Sequence, residues 1–131
     1  GKNLDVLINF TTRYLGYNRV SERLGEICLD NIKWYLKIGK QYEKDKQMMY
    51  DEFFKLKGFT PYKSFANFML VDVPVEIRPD LKKYLTERNL LIKFLDEEAF
   101  RTEARISLGT HKENKLLINT IKQFCKETGW Q

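Results

Sequence analysis

The chain has 131 residues, enough for one apolar core and too few for two independent domains. Hydrophobic residues make up 43% and charged residues 31%, which excludes a disordered polymer, and no apolar run reaches the ~20 residues needed to cross a bilayer. The net charge is +5, but cations alternate with acids in KQYEKDK, TERNLLIK and THKENK, the pattern of solvated helix faces; neither a nucleic-acid nor a membrane partner is expected.

Gly1-Lys2-Asn3 leads into a helical pattern without a methionine, as a piece cut from a longer polypeptide would. Asn3 is the expected N-cap of a first helix carrying Leu4, Leu7, Ile8, Tyr14 and Leu15, with Gly16 ending it. Tyr17 and Asn18 read as turn residues. Ser21 should cap a second helix that presents Leu24, Ile27 and Cys28 on one face. From Ile32 to about Lys57 runs the longest helical pattern, with Tyr35, Ile38, Tyr42, Met49, Phe53 and Leu56 as its stripe. Glu43-Lys44-Asp45-Lys46 interrupts that stripe, so an exposed middle is expected, projecting from the body or bridging to another domain.

After Gly58 the period changes from 3.6 to 2. Phe59–Tyr62 contains Pro61, which confines it to a sheet edge, and Phe68–Val73 is apolar enough for a central strand. Pro79 opens a short helix with Leu81, Tyr84 and Leu85 inward. Leu90–Leu95 alternates as a strand. In the last strand Ala104, Ile106 and Leu108 share one face, and Glu103, Arg105 and Ser107 the other. Thr110 and Glu113 form a capping box for a final helix with Leu117, Ile121, Phe124 and Cys125 in its core stripe. The fold class is α+β: a small, mainly antiparallel sheet covered by helices, preceded by N-terminal helices of which one is long. Residues 1–131 read as a single domain, with 1–57 a helical linking segment and 58–128 the α+β body.

Composition restricts the chemistry. His111 is the only histidine, so histidine-based metal sites and Ser/His or Cys/His catalysis have little to work with, and no metal site is expected. Cys28 and Cys125 lack CxxC spacing and read as small buried hydrophobes in a reducing, cytoplasmic setting. Asn67, a polar side chain in an apolar strand, is expected to bond nearby backbone.

Two segments carry more than periodicity. Ser64-Phe65-Ala66-Asn67-Phe68 follows the long helix, and Arg105-Ile106-Ser107-Leu108-Gly109-Thr110 precedes the last one. In this order and separation they resemble the C-terminal small domain of fold-type I pyridoxal-phosphate-dependent aminotransferases, especially the histidinol-phosphate and threonine-phosphate group. The upstream helices, including Tyr17-Asn18-Arg19-Val20-Ser21, look like that family's link between large and small domains. The resemblance implies that Arg105 binds the substrate carboxylate, since a planar guanidinium matches both oxygens and stays charged. A plain ion pair of Arg105 with Glu103 or Glu98 is the competing structural role. Lys93 stands where many relatives carry arginine. If the two strands are neighbours it shares a face with Arg105, and a solvated edge lysine is the alternative.

The resemblance also implies pyridoxal 5'-phosphate in the parent protein. Its Schiff-base lysine, pyridine-nitrogen aspartate and phosphate site would come from a large domain of the same polypeptide. No Ser-x-x-Lys segment or Gly-rich phosphate loop accompanies any lysine here, so this chain alone is expected neither to bind the cofactor nor to transaminate. Partners are then the missing large domain, an amino-acid substrate and, since family members are typically homodimers, a second subunit. A non-catalytic α+β binding or regulatory module is the alternative. Lys63–Phe68 superficially resembles an RNA-recognition strand but lacks its glycine and second aromatic.

Overall fold

The computed structural model describes residues 2–14, 18–97 and 102–130. The chain divides into two compact units, Gly1–Gly39 and Lys40–Gln131.

The first unit holds helix α1 (Lys2–Tyr14), helix α2 (Arg19–Asp30) and the start of helix α3 (Ile32–Phe54). Asn3 lies inside α1 and does not cap it. Helix α2 is capped by Asn18, whose Oδ1 accepts from Val20 N at 2.9 Å, so the cap stands three residues before the expected Ser21. The deciding factor is local: an Asn side chain at this position reaches the orphan N–H two residues on. The apolar stripes of this unit are not buried. Leu24 is 56% exposed and α2 buries no residue, because a helical unit this small has too little interior to enclose a stripe. Cys28 is half-buried, not buried, and its thiol donates to Tyr35 Oη at 3.0 Å. Gly16 and Tyr17 lie outside the described residues.

The second unit is the α+β body. After α3 come strands β1 (Thr60–Pro61) and β2 (Phe68–Asp72), a 3-10 turn at Val75–Ile77 and helix α4 (Arg78–Thr86). Strands β3 (Lys93–Phe94) and β4 (Glu103–Ser107) and helix α5 (His111–Glu127) complete it. The sheet order is β1-β2-β4-β3 with every pair antiparallel. As expected, β1 with Pro61 is an edge and β2 is interior. Only two residues of the predicted Leu90–Leu95 strand pair in the sheet, and Asn67, expected within a strand, lies in the bend that precedes β2. Asn67 is therefore exposed; the bond it makes is through its backbone oxygen, from Leu108 N at 2.9 Å.

Register fixes what each face carries. Met69, Val71, Ala104 and Ile106 alternate onto one face and are buried with Met49 and Phe53 of α3, Leu81 and Leu85 of α4, and the predicted stripe of α5. Burial holds the Cys125 thiol above its usual range, consistent with an inert packing role. The exit from α3 is tight: Gly58 has φ +78°, and a Cβ there would lie 2.7 Å from Pro74 Cγ, so only glycine fits. Trp130 closes the same corner by donating its indole N–H to Lys57 O at 2.8 Å.

The predicted exposed middle of α3 is corrected by the interior of this unit. Asp45 is 2% exposed and Lys46 8%. Lys46 donates to Ser64 O at 3.2 Å and pairs with Glu43 at 2.6 Å. Asp45 accepts from His111 Nδ1 at 2.6 Å, Gln41 Nε2 at 3.0 Å and Asn114 Nδ2 at 3.4 Å. Asn114 in turn receives Gly109 N at 2.9 Å and donates to Gly109 O at 3.2 Å. Glu43 and Lys44 stay exposed, while Asp45 forms a buried seam that ties α3 to the start of α5, with its lone pairs filled as a buried carboxylate requires.

Two outcomes are expected. Asp45→Ala strips the acceptor from this seam and should cost about 1–3 kcal/mol, read as a lower urea midpoint at unchanged slope. The capping box of α5 is present, and the Thr110 N–H and hydroxyl hold the Glu113 carboxyl below the usual carboxylate range. Its stabilisation is then present above the ordinary Glu pKa and lost as pH falls through the lowered folded value. Glu113→Gln should flatten the fall of the urea midpoint between roughly pH 5 and pH 3.

Candidate functional site

The second face of the sheet is open. Phe68, Leu70 and Asp72 of β2 are half-buried there, and Arg105 and Ser107 of β4 are exposed. The position of Arg105 follows from alternation: with Ala104 and Ile106 in the core, the residue between them must point outward. In register Arg105 sits between Leu70 of β2 and Lys93 of β3. A shallow concavity of about 460 Å³ is lined by Leu91, Ile92, Lys93, Arg105 and Ser107.

The electrostatics of this face are unbalanced around Arg105. Lys93 and Arg105 are direct cross-strand partners, a like-charge pair that costs stability in a sheet. Lys93 reaches Glu97 at 3.6 Å. Glu103, the neighbour expected to neutralise Arg105, accepts instead from Thr102 N at 3.2 Å and Thr102 Oγ1 at 3.3 Å. Asp72 accepts from Tyr62 Oη at 2.7 Å and Thr102 Oγ1 at 3.0 Å, and this bond to the carboxylate raises the Tyr62 phenol above its ordinary value. Hydroxyls thus engage the acids. Among the described residues Arg105 has no ion pair, and its guanidinium carbon stands 5.7 Å from the centre of the Phe68 ring. Glu98 lies outside the described residues.

A free guanidinium beside a second cation on an exposed, concave face can hold a carboxylate or phosphate. Neither Lys93 nor Lys46 is placed as a free, desolvated amine for a Schiff base. Lys93 is more than half exposed beside Glu97, not desolvated, and buried Lys46 is held by Glu43 and Ser64. Among the described residues no three metal-ligating side chains cluster, and no helix is long and apolar enough to cross a membrane. The Asp45–His111–Asn114 seam escaped the sequence reading because a buried acid and a solvated one look alike in a charge run. A histidine at the first position after an N-cap was the available signal.

No family model matches the chain. A histidinol-phosphate aminotransferase of Geobacillus is 32% identical over 87 residues, covering 65% of this chain and 24% of that protein. The Acinetobacter baylyi enzyme of the same name is 33% identical over 67 residues, 51% of this chain and 19% of that protein. Among solved structures, a presumed aminotransferase from Burkholderia pseudomallei aligns with 95% of this chain and 38% of its own at TM-score 0.78 and 20% identity. Over the matched residues the chain is similar to histidinol-phosphate aminotransferases. An L-threonine-O-3-phosphate decarboxylase from Porphyromonas gingivalis shares the fold over 66% of this chain and 28% of its own, with TM-score 0.56 and 24% identity. The chain spans about a quarter of the length of the curated aminotransferases it matches.

The cross-strand cation pair gives a check that is independent of catalysis. Lys93→Thr removes the repulsion and substitutes a good strand former, so it should stabilise the fold by about 0.2–1 kcal/mol in urea denaturation. The same change should weaken binding of a small dianion such as succinate, followed by the shifts of Arg105 Nε–Hε in NMR.

Proposed function

We propose that this chain is the C-terminal small domain of a pyridoxal-phosphate-dependent aminotransferase-like enzyme, acting on an amino acid or amino-acid phosphate, and that Arg105 grips the substrate carboxylate. The observation that carries the reading is a guanidinium on the open sheet face with no ion pair among the described residues. A strand arginine opposite a lysine, with its nearby acids engaged by hydroxyls, is costly for the fold and suited to an anion. The kinship with aminotransferases supports the reaction class, and the quarter-length match supports a site completed by a larger part of the enzyme.

Arg105 would act by position. Two parallel N–H bonds from its edge fix both carboxylate oxygens, and hydrogen bonds to such charged groups are worth about 1.5–3 kcal/mol net. Fixing the carboxylate orients the rest of the substrate against the reacting centre without moving a proton. Bound pyridoxal phosphate would supply the electron sink for amino-group chemistry, and the cofactor-binding part outside this chain would hold it. A second subunit of the same enzyme would border the complete site.

Arg105→Lys keeps the charge and loses the two-pronged geometry. In the polypeptide that contains the cofactor-binding part, it should raise KM for the amino-acid substrate by about tenfold or more, with little change in cofactor affinity. Equal losses in both would indicate a folding defect and would remove Arg105 from the site.

A further inference from the structure

We propose that Phe68 is a positioning residue that holds the guanidinium of Arg105 by its face and leaves its edge free for an anion. This rests on the reading of Arg105 as the carboxylate grip. Phe68 is the first residue of β2 and lies opposite Ser107, while Arg105 lies opposite Leu70, so Phe68 and Arg105 are diagonal neighbours on the open face. A long side chain spans that diagonal. The small side chain of Ser107 directly across from Phe68 leaves the ring room beside the arginine. The 5.7 Å separation of guanidinium carbon and ring centre falls within the range of a cation–π contact.

The geometry divides the guanidinium between two tasks. A ring attracts the cation through its flat face, and a carboxylate takes the N–H groups that point outward in the plane. The two contacts do not compete. An exposed arginine otherwise loses rotamer freedom when it binds, and a ring that restricts it beforehand lowers that cost. Phe68 is itself anchored. Its carbonyl accepts from Ser64 Oγ at 2.5 Å, Ser64 Oγ also accepts from Ala66 N at 3.1 Å, and the neighbouring Asn67 O accepts from Leu108 N at 2.9 Å. The turn at 64–67, together with the strand pairing, places the ring, which gives the Ser-Phe-Ala-Asn-Phe segment a mechanical task at the arginine of the other segment.

The test is NMR on the labelled chain. In the unsubstituted protein, the Arg105 δ-protons should be shifted upfield by the ring, and Nε relaxation should show an ordered side chain. Values of a free arginine would overturn the proposal without any variant. Phe68→Leu should loosen Nε and weaken succinate binding by about two- to fivefold, as loss of an exposed cation–π contact implies, and Phe68→Tyr should restore both. A Phe68→Leu chain with unchanged Nε order, or a Phe68→Tyr chain no better than leucine, would sink it. Arg105→Gln that leaves succinate binding unchanged would instead defeat the carboxylate reading, whatever the Phe68 variants do.

Discussion

The pairing of β2 with β4 governs this protein. Five residues on each strand are locked in antiparallel register, from Phe68 opposite Ser107 to Asp72 opposite Glu103. Because side chains alternate, that register alone decides that Met69, Val71, Ala104 and Ile106 are buried and that Phe68 and Arg105 share the open face. A slip by one residue would drive a guanidinium into the core and expose the apolar set. Core packing and the outward placement of Arg105 are therefore two consequences of a single registration.

The polar interior of the body serves the same end from the opposite side. Asp45 is placed by α3, and the groups that satisfy it belong to α3 and α5. Asn114 carries the connection to Gly109, just beyond β4, so the segment that leaves the arginine strand is held at both backbone groups of one residue. Apolar packing sets how close the helix lies to the sheet. Directional bonds of this kind set where along its length it stops.

What was legible in the sequence follows from what local pattern encodes. The alternation in 103–108, the Thr110–Glu113 box and the stripe of α5 depend on near neighbours and appear as read. Arg105 was placed on the correct face by parity, and its neighbourhood with Lys93 needed only the strand order. Three features were not legible. Asn18 and Ser21 are both good caps, and only backbone geometry selects between them. Asn67 reads as part of the apolar strand that follows it, yet the Ser64 side chain turns the chain before Phe68. Glu43–Lys46 has the composition of a solvated face, and the burial of Asp45 within it depends on partners more than sixty residues away.

The ends of the sheet bear on how this protein can associate. Its outer strands, β1 and β3, offer two paired residues each, and Pro61 in β1 has no N–H to donate. Rims this short and interrupted give a foreign strand little to template on, which protects the sheet from growing by lateral addition. The sheet therefore offers a partner its open face, the side where Arg105 stands, more readily than its rims.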